Sequence, residues 1–138
     1  MISVTRRYRF SAAHALRRDE WSEERNRAVY GKCANPAGHG HDYGLEVTVQ
    51  GVVDRGTGCV VDPDLLDRLV DEHVLARFAD RLLNDDPTFQ GCVPTAENIA
   101  RAAHGLLQGP VAETTGAELR RVRVRETSKN TFDYGELR

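Results

Sequence analysis

The chain has 138 residues, 40% of them hydrophobic and 29% charged, with a net charge of −2. That size and balance suit one globular domain, expected over 1–138, and offer no basic surface for nucleic acid or membrane. No segment approaches the roughly 20 apolar residues of a membrane span, and a start carrying Arg6 and Arg7 without an apolar h-region is not expected to be a signal peptide.

The first predicted element is a strand from about Ile2 to Phe10, with Ile2, Val4, Tyr8 and Phe10 on one parity. Ala12 and His14 continue that parity if the strand extends. Residues 17–27 are strongly charged and read as a loop. A second strand is predicted over roughly His39 to Val53, where Tyr43, Leu45, Val47 and Val49 alternate with polar residues. Residues 54–58 read as a turn, and Cys59-Val60-Val61 as resumed strand. Asp62-Pro63 looks like an N-cap followed by proline at the first helical position. Leu65, Leu66, Leu69, Val70, Val74 and Phe78 follow at helical spacing. Residues 84–87 break the chain. A second helix starts near Pro94-Thr95 and carries Ile99, Ala102, Ala103, Leu106 and Leu107 on one face. Gly109-Pro110 reads as its end, Leu119 to Glu126 as a strand, and a last short strand follows Asn130. The order ββααββ predicts an α+β fold with two helices on one face of an antiparallel sheet.

Residues two apart in a strand share a face, so His39 and His41 point the same way, about 7 Å apart. Two imidazoles so placed suit one metal ion, and His14 on the apolar parity of the first strand is the best third ligand. The plain alternative is a turn of solvent-exposed histidines. His73, mid-helix, and His104, on the polar side of the second helix, fit less well. Cys33 follows Lys32 just upstream, and a nearby cation and metal favour thiolate, which suits it to act as a general base. Cys33, Cys59 and Cys92 make a poor disulfide framework and point to reduced thiols in the cytoplasm.

Several motifs, in order and spacing, resemble one family. These are Phe10-Ser11-Ala12-Ala13-His14, Gly31-Lys32-Cys33-Ala34-Asn35-Pro36, Gly38-His39-Gly40-His41-Asp42-Tyr43, Val61-Asp62, Leu83-Asn84-Asp85, Pro94-Thr95-Ala96-Glu97-Asn98 and Arg125-Glu126-Thr127. The family is that of the 6-pyruvoyl-tetrahydropterin synthases and their 6-carboxytetrahydropterin relatives. The resemblance implies a tunnelling fold, in which sheets from several subunits close into a barrel, and a homo-oligomer, usually a hexamer of two trimers with active sites between subunits. It implies Zn2+ held by His14, His39 and His41, and Cys33 as the proton-moving base. It further implies that Glu126 anchors the pterin ring, with Thr95 assisting. The reaction implied is conversion of 7,8-dihydroneopterin triphosphate to a 6-pyruvoyl or 6-carboxy tetrahydropterin.

One departure stands out. The family usually carries an Asp-His pair after the first helix that helps activate the cysteine. Here Ala79 stands at the aspartate and Asp80 at the histidine. Asp80 is a catalytic candidate as substitute proton carrier, although an ordinary carboxyl pKa near 3.9 makes it a poor acid at neutral pH. His73, about two helical turns earlier, is too far to replace the pair. Three readings stay open: the family reaction with Asp80 as substitute, a related step needing less proton relay, or a protein that binds a pterin or purine without turning it over. The product is open too. Residues 34–38 between Cys33 and His39 match the pyruvoyl-forming spacing. The Arg-, Ala-, Leu- and Asp-rich composition suggests a high-GC bacterial source, where the carboxy-forming role in deazapurine (queuosine) synthesis is common.

Overall fold

The computed structural model describes residues 1–136; the last two residues of the expected domain lie outside the described residues. Four strands form one antiparallel sheet in the order β1-β2-β3-β4: β1 Ile2–His14, β2 His39–Gly51, β3 Glu118–Thr127 and β4 Asn130–Gly135. The alternation read in the sequence decides which face is inward. Phe10, Tyr43, Leu45, Val47, Val49, Val122 and Val124 are buried, while Arg7, Arg9 and Arg125 on the opposite face are exposed.

A short helix, α1 Glu23–Tyr30, lies between β1 and β2; the helices that cover the inward face lie between β2 and β3 in sequence. The first is α2 Pro63–Val70, which runs through a π-helical turn, Asp71–Leu75, into α3 Ala76–Phe78. Asp62 caps it as predicted, its carboxylate accepting from the Asp64 N–H at 3.0 Å. Leu66, Val70, Val74 and Phe78 are buried against the sheet. Side chains at the rim add a polar fastener: Arg6 and Tyr8 of β1 both donate to the Asp67 carboxylate of α2, at 2.6 to 3.0 Å.

The long helix α4 spans Ala96–Thr115 and corrects one expectation: it does not end at Gly109-Pro110. Proline removes one helical N–H and strains the turn before it. The apolar stripe Ala103, Leu107, Val111 nevertheless continues at i, i+4 spacing, and all three are fully buried. Tertiary burial outweighs the local break. The helix stops at Gly116, in the left-handed region at φ 73°, where its N–H bonds the Ala112 carbonyl.

Two more expectations are corrected. The charged stretch read as a loop over 17–27 contains the start of a helix, α1 Glu23–Tyr30. Ser22 caps it, accepting from the Arg25 N–H at 3.1 Å, with Glu23 and Glu24 in its first turn. Apolar periodicity gave no sign of it because its one buried residue is polar, Asn26. Cys59-Val60-Val61 is not a strand. Both neighbours of β2 are already taken, by β1 and β3. The segment instead closes an exposed turn, with the Asp54 N–H donating to the Cys59 carbonyl at 2.8 Å, and Val61 packs into the core ahead of α2. No helix among the described residues is long and apolar enough to cross a membrane.

Candidate metal centre

The β1–β2 register assembles the histidines. His14 pairs directly with His39, Ala12 with His41 and Phe10 with Tyr43. Directly opposed residues share a face, and diagonal neighbours lie within reach of long side chains. His14, His39 and His41 therefore meet on the inward face, and the small Ala12 leaves room beside His41. Their ring centroids lie 4.6, 4.9 and 5.1 Å apart.

The ligand atoms converge. One nitrogen of each ring lies within 4.8 Å of the other two. His14 Nε2 and His39 Nε2 are 3.1 Å apart. Two nitrogens bound at about 2.0–2.1 Å in a tetrahedral zinc site stand about 3.3 Å apart, so this pair needs little adjustment to share an ion. His41 Nε2 is buried without a hydrogen-bond partner. An orphaned buried polar atom is costly, and a metal ion would satisfy it.

The surroundings fix the donor atom of His14. The ring is fully buried, and its Nδ1 lies 2.7 Å from the Pro94 carbonyl. A carbonyl only accepts, so Nδ1 carries the proton and Nε2 presents its lone pair. Burial holds the His14 pKa below the ordinary histidine value, against the Pro94 bond, which raises it. Burial, then the neighbouring His41, lowers that of His39 as well. Neutral imidazoles are the form that ligates metal.

The other residues singled out in the sequence fall into two groups. Glu126 continues the inward parity of Val122 and Val124, and its Oε2 lies 3.9 Å from His14 Nε2. Thr95 caps α4, accepting from the Asn98 N–H at 3.2 Å, and follows the residue whose carbonyl holds His14. Glu126 thus stands beside the cluster, and Thr95 adjoins it in sequence through Pro94.

Cys33 and Asp80 lie on turns, and neither side chain is hydrogen-bonded to the cluster among the described residues. Cys33 lies on the 3-10 turn Gly31–Ala34, half-buried. Its backbone is tied to the exit of β1, with the Leu16 N–H donating to the Cys33 carbonyl at 2.7 Å. Among the described residues its thiol makes no hydrogen bond to the histidines. Asp80 is exposed, with φ at 60°, a left-handed conformation that aspartate tolerates better than most residues. It lines a cleft of about 490 Å³ together with Ser11, Asp42 and His41. Its carboxylate makes no hydrogen bond or ion pair among the described residues. His73 lies beside Glu72 on the helix surface and His104 packs against Tyr134, both outside the cluster. The Pro94 carbonyl was not foreseen. Its sequence signal, a proline before a capping threonine, announces a helix start and nothing more.

A four-stranded antiparallel sheet with its helices on one face, bringing together three histidines that could hold a metal ion with a glutamate beside them, defines an α+β class. The comparisons narrow that class. A profile of the family described as 6-pyruvoyl tetrahydropterin synthase matches residues 3–136. The chain is 38% identical over 133 residues to the 6-pyruvoyl tetrahydrobiopterin synthase of Poecilia reticulata, covering 95% of this chain and 88% of that one. It is 37% identical over 132 residues to the Homo sapiens protein of the same name, covering 95% and 89%. The solved structure of Caenorhabditis elegans 6-pyruvoyl tetrahydropterin synthase superposes with a TM-score of 0.82 at 33% identity, covering 97% of this chain and 94% of that one. The chain belongs to the 6-pyruvoyl tetrahydropterin synthase family, and its sheet and helices are those of the tunnelling fold.

Proposed function

We propose that this chain is a zinc-dependent lyase that converts 7,8-dihydroneopterin triphosphate to 6-pyruvoyl tetrahydropterin with loss of triphosphate. The observation that carries the reading is the convergence of the three imidazoles with Glu126 beside them, in a chain of this family. The names of the similar relatives favour the pyruvoyl over the carboxy product.

His14, His39 and His41 hold the zinc in this reading. Bound there, the ion supplies Lewis acidity to oxygens of the substrate side chain. Cys33 takes protons from the side-chain carbons and returns them to the ring system, so no external oxidant or reductant is needed. Glu126 accepts paired hydrogen bonds from the N–H groups of the aminopyrimidinone ring, and Thr95 lends its hydroxyl to the same ring. Asp80 serves as the auxiliary proton carrier where the family has histidine. The working unit is one domain over 1–138, assembled as a homohexamer of two trimers. Among the described residues the edge of β4 and the edge of β1 before Ser11 pair with no further strand, which suits closure of a barrel by further copies. The setting is the cytoplasm, in keeping with three free thiols.

A second reading rests on Ala79 and Asp80: without the Asp-His pair, the chain binds a pterin or purine and leaves it intact. Triphosphate release separates the two. Zinc-loaded protein should release triphosphate from dihydroneopterin triphosphate, lose that activity to a chelator and regain it with zinc. Substrate binding without release supports the binding protein instead.

A further inference from the structure

His14 forms the last pair of the β1–β2 ladder, so the sheet does not hold the chain beyond it. The next residue, Ala15, is 2% exposed. One side chain closes both of its backbone groups. Asn84 Oδ1 accepts from the Ala15 N–H at 2.8 Å, and Asn84 Nδ2 donates to the Ala15 carbonyl at 2.8 Å. A primary amide reproduces the donor and acceptor of a peptide unit, whereas a carboxylate offers acceptors alone. Asn84 also ends a stretch that runs along the free side of β1. There the Asp80 N–H donates to the Ser11 carbonyl at 2.6 Å, the Ala13 N–H donates to the Arg81 carbonyl at 2.9 Å, and Ala13 pairs in parallel with Leu82.

We propose that Asn84 is a positioning residue for the metal ligand His14. It fixes the path of the chain leaving His14, so that Nδ1 meets the Pro94 carbonyl and Nε2 faces His39 and His41. The proposal rests on the reading of the histidine cluster as a zinc site. A purely structural asparagine would change stability and leave the metal's surroundings alone. A positioning one changes the coordination itself.

The test compares wild type, Asn84→Ala, Asn84→Asp and, as a stability reference, Asp67→Asn. The readouts are the visible absorption of bound Co2+, zinc affinity by chelator competition and thermal melting. Both Asn84 variants should alter the cobalt bands and lose about 10–100-fold in zinc affinity, Ala more than Asp. Asp67→Asn should melt earlier with spectrum and affinity unchanged. Should Asn84→Ala fail to fold, Asn84→Asp carries the comparison. Asn84 variants with the wild-type spectrum and affinity, whatever their melting temperature, overturn the positioning role alone. Wild-type protein that takes up neither metal overturns the metal reading itself.

Discussion

The strand-borne and the loop-borne parts of the site differ in how they are held. His14, His39 and His41 sit on paired strands, where the ladder register leaves their positions little freedom, and Glu126 follows on the third strand at the irregularity between Arg125 and Thr127. Cys33 and Asp80 sit on turns, the first held through its carbonyl to Leu16 and the second through its N–H to Ser11. Strand pairing brings together, within one chain, three histidines that could hold a metal ion. The turns carry the proposed proton carriers, and the resemblance places its one departure here, at Ala79 and Asp80.

The largest expected effect comes from removing a strand-borne ligand. His39→Ala should leave fewer than 0.1 zinc ions per chain, an order-of-magnitude expectation for a site stripped of one ligand in three, and abolish turnover. Metal analysis after dialysis checks it; full zinc occupancy would break the assignment. Cys33→Ala should act in the opposite manner, keeping zinc while turnover falls by about 10²–10⁴-fold, the scale of a lost general base. Unchanged turnover would remove Cys33 from the chemistry. The double substitution Ala79→Asp/Asp80→His should sharpen the contrast by restoring the family's pair, raising turnover about tenfold or more with zinc affinity unchanged. A fall would show that this loop has been rebuilt around Asp80.

The smallest effect tests the sheet's fastening away from the site. Arg6 holds the Asp67 carboxyl below its ordinary range, so this bond stabilises the fold fully above a pH of about 4 and is lost as pH falls through the lowered folded value. Asp67→Asn should cost about 1 kcal/mol at neutral pH, because the pair is over a third exposed, and the difference should shrink near pH 3. Urea unfolding at the two pH values measures it.

What was legible in the sequence follows the same division. Alternation over Tyr43 to Val49 and the spacing of His39 and His41 exposed the inward face and the two histidines that share it, since strand geometry is local. Pro110 misled because a local helix breaker is overridden by the burial of Val111, which only the tertiary fold reveals. The α1 helix was hidden because its capping signals carry no apolar stripe. The contacts that hold His14 were invisible for another reason. The Pro94 carbonyl lies 80 residues away in sequence, and Asn84 lies 69 residues from Ala15, with no spacing rule linking either pair.

The most direct test of the central claim is mass spectrometry of the products formed when zinc-loaded wild-type protein meets 7,8-dihydroneopterin triphosphate. The account predicts 6-pyruvoyl tetrahydropterin and free triphosphate, made without the usual Asp-His pair. Intact substrate recovered from protein carrying one zinc per chain would contradict it, and would leave a pterin-binding sheet whose metal site has outlived its chemistry.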